Sequence, residues 1–228
     1  MIFDSERTRM RASMTSRSQR RNPSGFTDAA ATWNQRYQRD DFLFGEAPNQ
    51  WLVSQGNELP TAGRVLSVAD GEGRNSIWLA SLGLEVDAFD ISEVAVTKAR
   101  AFAARKGCAI RYAVMDADRV MWPTALYDAV VAIFIQFADP SMRRRLFHHM
   151  SQALKPGGAL LLQGYAPKQL HYRTGGPPIR SHLYTEAQLR KELAQLQISS
   201  LRCYEADVQE GSGHRGRSAL VGLVGRAI

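Results

Sequence analysis

Apolar and polar positions along the chain fall into two kinds of block that alternate. Short runs that are apolar throughout are typical of strands buried on both faces of a sheet, whereas longer segments with apolar residues three or four positions apart are typical of helices. The runs predict five strands, and two later apolar segments predict a closing hairpin. The predicted strands cover residues 64–69, 85–89, 109–114, 127–134, 159–165, 198–205 and 218–225.

Helices are predicted between these strands, and several of them have clear start and stop signals. They cover residues 27–37, 48–57, 75–82, 92–106, 140–154 and 185–196, and a Pro/Gly-rich loop covers 167–181. Thr27 and Ser92 are the predicted N-caps of two helices, and Gly107 ends one of them. Strands and helices that alternate at this spacing form parallel βαβ units. The sequence therefore predicts an α/β fold, a doubly wound and mostly parallel seven-stranded sheet with an antiparallel C-terminal hairpin.

Glycines and acidic residues stand directly after the predicted parallel strands. Gly71 and Gly73 follow the first strand, Asp90 ends the second, and Asp116 ends the third. Doubly wound sheets bind their ligands beyond the carboxyl ends of the strands, so we expect these residues to line one rim together with those after Phe134. The glycines allow a ligand to approach the backbone, and the helix that follows presents free N–H groups there.

Two classes of cofactor use such a turn. A nicotinamide dinucleotide requires a third glycine, where this chain has Ser76, and Glu72 would place a negative charge beside its pyrophosphate. S-adenosylmethionine carries no phosphate, and an acidic turn would favour its sulfonium and ammonium charges. Asp90 is expected to accept hydrogen bonds from the ribose hydroxyls, and Asp116 to meet the adenine amino group. The turn therefore favours S-adenosylmethionine as the cofactor.

The same segments resemble the class I S-adenosylmethionine-dependent methyltransferases over the chain that follows its first 26 residues. Residues 65–75 resemble the first family motif, 89–92 the second, 115–117 the third, and 154–158 the turn before the fifth strand. The resemblance implies a Rossmann-like fold and methyl transfer. Further segments are similar to a narrower bacterial group related to tellurite-resistance and thiopurine methyltransferases: 33–37, 44–49, 164–170, 174–177 and 210–216.

The resemblance also implies a set of cofactor-binding residues, with two departures from the family pattern. The family usually has an acidic residue where Ser67 stands and glycine where Ala69 stands. We expect Asp70 to supply the missing carboxylate to the methionine ammonium. The expected cofactor-binding residues are Ala69, Asp70, Gly71, Gly73, Asn75, Asp90, Ile91, Asp116, Ala117 and Phe134.

The acceptor is less well defined than the donor. Residues 134–137 lack the Asn/Asp-Pro-Pro-aromatic box of methyltransferases that modify amino groups of nucleic acids. Methylation of a pyrimidine carbon needs a cysteine nucleophile, and neither Cys108 nor Cys203 is on the predicted rim. The sequence therefore favours a small-molecule acceptor such as a thiol, a metalloid oxyanion or a similar soft nucleophile, and argues against nucleic acid as a partner.

One histidine is a candidate catalytic base. His214 belongs to a glycine-rich connection, 211–216, that is predicted to be flexible and to fold over the rim. Its neighbour Arg215 would attract an oxyanion, Gln136 would contact the acceptor, and aromatic residues would cover the sulfonium, although core packing explains Trp33 equally well. The expected substrate contacts are Tyr37, Phe44, Gln136, Tyr165 and Arg215.

The positive charge is concentrated at the start of the chain. The net charge is +7, and residues 1–25 contribute +4 of it through six arginines and two acidic residues. We expect 1–26 to be a disordered basic leader and 27–228 to form the methyltransferase domain. The two cysteines are far apart in sequence, and no apolar run is long enough to span a membrane. We therefore expect a cytoplasmic protein that binds neither a membrane nor a metal. The sequence does not indicate the oligomeric state. The alternatives are an RNA or protein methyltransferase that uses the leader, and a catalytically silent regulatory domain that binds the cofactor.

Overall fold

A computed structural model describes residues 28–228 of the chain. The predicted basic leader and the predicted cap Thr27 lie outside the described residues. The first described helix is capped by Asp28, whose carboxylate accepts a hydrogen bond from the Ala31 amide at 3.0 Å. None of the helices in this part of the chain is long and apolar enough to cross a membrane.

The strands form one seven-stranded sheet in the order β3-β2-β1-β4-β5-β7-β6. The first five strands are parallel to one another, and β7 is antiparallel to both β5 and β6. This confirms the predicted fold class. The strands are β1 Arg64–Val68, β2 Glu85–Asp90, β3 Ile110–Val114, β4 Tyr127–Ile133, β5 Leu154–Tyr165, β6 Leu196–Glu210 and β7 His214–Ala227.

Helices cover both faces of this sheet. They are α1 Ala29–Tyr37, α2 Gln50–Ser54, α3 Arg74–Ser81, α4 Glu93–Lys106, α5 Pro140–Ala153, α6 Gln169–Tyr172 and α7 Glu186–Glu192, with short 3-10 turns at Gly56–Glu58 and Arg180–His182. Successive residues of β1 point to opposite faces. Val65 packs in the cluster that contains Leu52 of α2, whereas Leu66 packs in the cluster that contains Phe147 of α5. The apolar runs of the central strands are therefore buried on both sides.

Several predicted boundaries differ from the structure. The predicted helix 48–57 begins at Gln50 rather than at Pro48, because the Asn49 side chain accepts a hydrogen bond from the Leu52 amide and caps α2. After Gln55 the chain continues as a 3-10 turn. The predicted loop 167–181 contains α6 and a second 3-10 turn. Ser92 and Gly107 are confirmed as the cap and the end of α4.

The C-terminal hairpin is much longer than its apolar segments predicted. Strands β6 and β7 stay paired until Glu210 faces His214 across the turn 211–213. The segment around this turn is mostly polar, so its sequence carries no strand signal, but backbone hydrogen bonds continue the ladder there. The prediction that His214 lies in a flexible connection is therefore wrong.

Candidate active site

A cavity of about 740 Å³ opens where the parallel strands end. Parallel strands present their carboxyl ends at the same edge of a sheet, so residues that are distant in sequence meet there. Nine of the ten predicted cofactor-binding residues line it: Ala69, Asp70, Gly71, Asn75, Asp90, Ile91, Asp116, Ala117 and Phe134.

Asp90 and the glycine turn hold each other in place. The Asp90 carboxylate accepts hydrogen bonds from the amides of Gly71 at 3.0 Å and Ser92 at 2.9 Å. Burial raises the pKa of Asp90 to about 6. A Cβ atom on Gly71 would lie 2.8 Å from Tyr37 Oη, so the aromatic ring and the turn approach each other as closely as glycine allows.

Asp70 lies beside the serine that replaces the usual acidic residue. Ser67 Oγ donates to Asp70 Oδ1 at 2.7 Å, and Ser76 donates through its amide to Oδ1 at 3.2 Å and through its hydroxyl to Oδ2 at 2.5 Å. A carboxylate has about four lone-pair sites, so one remains on Oδ2. Asp70 also lines the cavity. The prediction that it serves the cofactor ammonium fits this arrangement and stays a prediction.

Glu72 does not have the predicted influence on the cofactor. Glu72 is buried and is not one of the residues that line the cavity; its carboxylate forms an ion pair with Lys98 and accepts a hydrogen bond from the Leu43 amide at 2.8 Å. The ion pair neutralises its charge. The preference for a positively charged cofactor therefore has to come from other acids of the rim.

A second group of residues that line the cavity is a box of aromatic rings around His214. The imidazole centroid lies 4.3 Å from that of Phe134, 4.4 Å from Phe44 and 5.6 Å from Tyr165. All four side chains line the cavity, as does Tyr37, which contacts Phe44 edge to face. We call these four residues, Phe44, Phe134, Tyr165 and His214, the aromatic box.

Two polar atoms of the aromatic box have no hydrogen-bond partner among the described residues. They are His214 Nδ1 and Tyr165 Oη, and both side chains are buried. Burial lowers the pKa of His214 and raises the pKa of Tyr165. The histidine is therefore neutral near pH 7, and the phenol keeps its proton. Buried polar groups without partners are costly, which makes them candidates for contact with a bound molecule.

Comparison with known proteins identifies the fold and its central segment. Residues 65–158 match the family model described as a methyltransferase domain. The chain is 34% identical over 123 residues to ribosomal RNA small subunit methyltransferase C of Alcanivorax borkumensis, a match that covers 52% of this chain and only 36% of that enzyme. The fold of this chain is similar to that of an S-adenosylmethionine-dependent methyltransferase of Methanosarcina mazei, with a TM-score of 0.65 and 20% identity. The similarity covers 79% of this chain and 99% of the other.

The segment 65–158 is therefore that of a methyltransferase domain, and the fold around it is shared with an S-adenosylmethionine-dependent methyltransferase. The methyl donor of this family is S-adenosylmethionine, which confirms the predicted cofactor class. TehB from Haemophilus influenzae has a similar fold, with a TM-score of 0.64 over 87% of this chain and 67% of its own, but at 15% identity the similarity extends to the fold alone. Membership of the narrower tellurite-resistance group therefore stays a prediction.

Three predicted site residues of the methyltransferase domain have other surroundings. Gly73 does not line the cavity. Arg215 is exposed beside the buried His214, because neighbouring residues of a strand point to opposite sides. Gln136 lines the cavity, but its amide donates to the carbonyls of Tyr165 and His182 and accepts from the Tyr165 amide. These bonds hold the Gln136 amide in place, and its contact with the acceptor stays a prediction.

Three functional candidates of the domain were missed from sequence. Arg74 opens α3 directly after the glycine turn, and its guanidinium reaches Glu210 at 2.6 Å, 136 positions further along the chain. Glu210 in turn faces His214. No local pattern marks this pair, because the two residues meet only after the sheet has formed. His182, which directly follows the predicted loop 167–181, is buried and lines the cavity.

Gly73 has a packing role that predicts a loss of stability on substitution. It has a φ of +93°, and a Cβ atom there would lie 2.9 Å from Tyr112 Oη and 3.0 Å from Ala99 Cβ of α4. We expect Gly73→Ala to lower the free energy of unfolding by about 2–3 kcal/mol, from backbone strain together with overpacking. Gly83→Ala is the matched control, because Gly83 has a φ of +86° and a Cβ atom there would have no described atom within 4 Å beyond its chain neighbours.

Denaturant unfolding of both variants measures the difference. Gly83→Ala is expected to lose only the strain contribution, about 1 kcal/mol. Equal losses in the two variants would contradict the assignment of close packing to Gly73.

Proposed function

We propose that the chain is an S-adenosylmethionine-dependent methyltransferase that acts on a small molecule bound in the aromatic box. The observation that carries the proposal is that one cavity contains both the acidic residues at the strand ends and the aromatic box, in which two polar atoms have no hydrogen-bond partner within residues 28–228. A pocket lined by apolar rings with a few convergent polar groups is typical of small-molecule sites.

The residues of the rim fit the donor. Asp90 would accept the ribose hydroxyls, Asp116 would meet the adenine amino group, and Asp70 has a lone-pair site left for the ammonium. The donor supplies an activated methyl group on a sulfonium. The protein aligns the acceptor with that group and excludes water, and the rings of the aromatic box suit both tasks.

His214 is the proposed catalytic base. It is buried in the aromatic box, and its lowered pKa keeps the imidazole neutral and able to accept a proton near pH 7. We further propose that residues 27–228 act as one domain in the cytoplasm, because free cysteines at Cys108 and Cys203 suit a reducing compartment.

Methylation of RNA is the second candidate function. The observation that favours it is the 34% identity to the ribosomal RNA methyltransferase, although the match spans about a third of that enzyme. The arginines of residues 1–25 would then contact phosphates. Against it stands the enclosure of the candidate base, which is about 7% exposed and surrounded by three aromatic rings.

Calorimetry with S-adenosylmethionine, followed by release of S-adenosylhomocysteine across an acceptor panel, tests the proposal. The panel contains phenols, aryl thiols, amines, metalloid oxyanions and a structured RNA. We expect binding, and turnover of at least one small molecule but not of RNA. Methylation of RNA that disappears when residues 1–25 are deleted would support the second candidate. Binding of S-adenosylmethionine without turnover of any acceptor would indicate a regulatory domain.

A further inference from the structure

Glu210 is a buried carboxylate that joins the cofactor turn to the aromatic box. It is the last residue of β6, directly opposite His214 across the hairpin. Its Oε1 accepts hydrogen bonds from Asn49 Nδ2 at 2.9 Å and from the Gln50 amide at 3.4 Å, and its Oε2 accepts from Arg74 Nη2 at 2.6 Å. Two separate chain segments, residues 49–50 and Arg74 of α3, therefore fix the position of this carboxylate.

One acceptor site of this carboxylate is left for His214. Of about four lone-pair sites, three are used by the donors just described, and the remaining one is on Oε2. That oxygen lies 3.9 Å from His214 Nδ1, which has no other partner among the described residues. Hydrogen bonds of catalytic groups are often long in the absence of ligand and shorten when substrate binds.

We propose that Glu210 is the positioning residue for His214, and that the acceptor is a planar ring compound whose hydroxyl must lose a proton during methyl transfer. This inference rests on the proposed function. An ionised carboxylate only accepts, so the atom that faces it, Nδ1, carries the imidazole proton and Nε2 holds the lone pair. Orientation of an imidazole by a fixed carboxylate is the arrangement that makes it an effective base.

The charges around His214 agree with this assignment. Glu210 of β6 is the acidic group that faces it, and Arg74 of α3 and Arg36 of α1 are the basic ones, with the neutral phenol of Tyr165 on β5. Burial and the two arginines lower the pKa of His214, whereas Glu210 opposes them. Burial alone would raise the pKa of Glu210, but His214 and Arg74 lower it overall, so the carboxylate stays ionised.

The proposed step balances in atoms and charge. The hydroxyl proton passes to His214 Nε2 while the acceptor oxygen forms the bond to the methyl carbon, and the electron pair of the broken carbon–sulfur bond stays on the donor sulfur. The imidazolium that results is stabilised by Glu210.

The rings of Phe44, Phe134 and Tyr165 favour a flat acceptor. An acceptor that is already ionised, such as a metalloid oxyanion, would have no use for such a base.

The nitrogen NMR signals of His214 in the full-length protein test the assignment without any acceptor. With His214→Gln used to assign the signals, we expect the neutral ring to carry its proton on Nδ1. In Glu210→Gln we expect the titration of His214 to move about one unit lower, because an opposing negative charge is lost. A wild-type ring protonated on Nε2, or an unchanged titration in the variant, would overturn the proposal.

Kinetics with a phenolic acceptor provide the second measurement. We expect Glu210→Gln to lose roughly tenfold to a hundredfold in kcat, with the acidic limb of the pH–rate profile displaced in the same direction as the NMR titration. Tyr204→Phe is the control, since it removes the 2.6 Å hydrogen bond to Gln163 in the same polar cluster without changing a charge. It should leave the His214 titration in place. If no acceptor is turned over, the proposed function fails, while the NMR titration still decides whether Glu210 orients His214.

Discussion

Asp90→Ala is expected to weaken the binding of S-adenosylmethionine at least a hundredfold. Hydrogen bonds to a charged group contribute about 1.5–3 kcal/mol each, and two would be lost with the ribose hydroxyls. The substitution also releases the amides of Gly71 and Ser92, which the carboxylate holds at the end of β2. Calorimetry with S-adenosylmethionine and S-adenosylhomocysteine measures the loss, and an affinity within threefold of the wild type, about 0.65 kcal/mol, would contradict the assignment of Asp90.

The pKa of Asp90 adds a pH dependence whose direction can be checked. Because burial raises this pKa to about 6, the carboxylate is mostly protonated at pH 5 and mostly ionised at pH 7 in the free protein. The ionised form accepts both hydroxyls, so affinity should rise as the pH increases through 6. Asp90→Asn should remove this dependence, and the same dependence in the variant would assign it to another group.

Stability should respond to Asp90 in the opposite direction. An acid whose pKa is raised in the folded state binds its proton more tightly there than in the unfolded chain. Its contribution to the free energy of unfolding is therefore present at low pH and lost as the pH rises from about 4 to 6. Unfolding curves at several pH values separate this effect from binding.

His214→Gln is expected to lower turnover by about a hundredfold or more while S-adenosylmethionine binds with nearly wild-type affinity. A positioned general base contributes about 10²–10⁴ to the rate. The side chain lies in the aromatic box, and the acids expected to hold the cofactor stand on other strand ends. Glutamine keeps a polar side chain of similar length but accepts no proton. Single-turnover rates and calorimetry on the same preparation separate the two effects.

The control for this variant is Arg217→Gln on the same strand. Arg217 is exposed and pairs with Glu205 on the outer side of the hairpin, so its loss should leave turnover within about twofold of the wild type. A His214→Gln variant with the same small effect would show that the imidazole only packs in the aromatic box. A His214→Gln variant that also fails to bind the cofactor would show that the imidazole supports the residues that hold the cofactor.

The rim could be predicted from sequence because each of its residues follows its own strand directly. The apolar run before Gly71 and the run that ends at Asp90 specify strand ends locally, and parallel pairing then brings those ends together. Glu72 is the counter-example. Its position between Gly71 and Gly73 suggested a negative charge in the cofactor site. In the structure its carboxylate instead pairs with Lys98 of α4 and accepts a hydrogen bond from the Leu43 amide.

By itself the sequence determined the fold class, the alternation of parallel strands with helices, and the acidic residues at the rim. These features follow from hydrophobic periodicity, helix caps and turns, all of which lie within short stretches of the chain. Only the tertiary structure decided the acceptor end. The long pairing of β6 with β7 buries His214 and exposes its neighbour, and it brings Glu210 against Arg74 from 136 positions away. Such contacts depend on backbone pairing and on charges matched across segments, and residues so far apart leave no periodic signal in the chain.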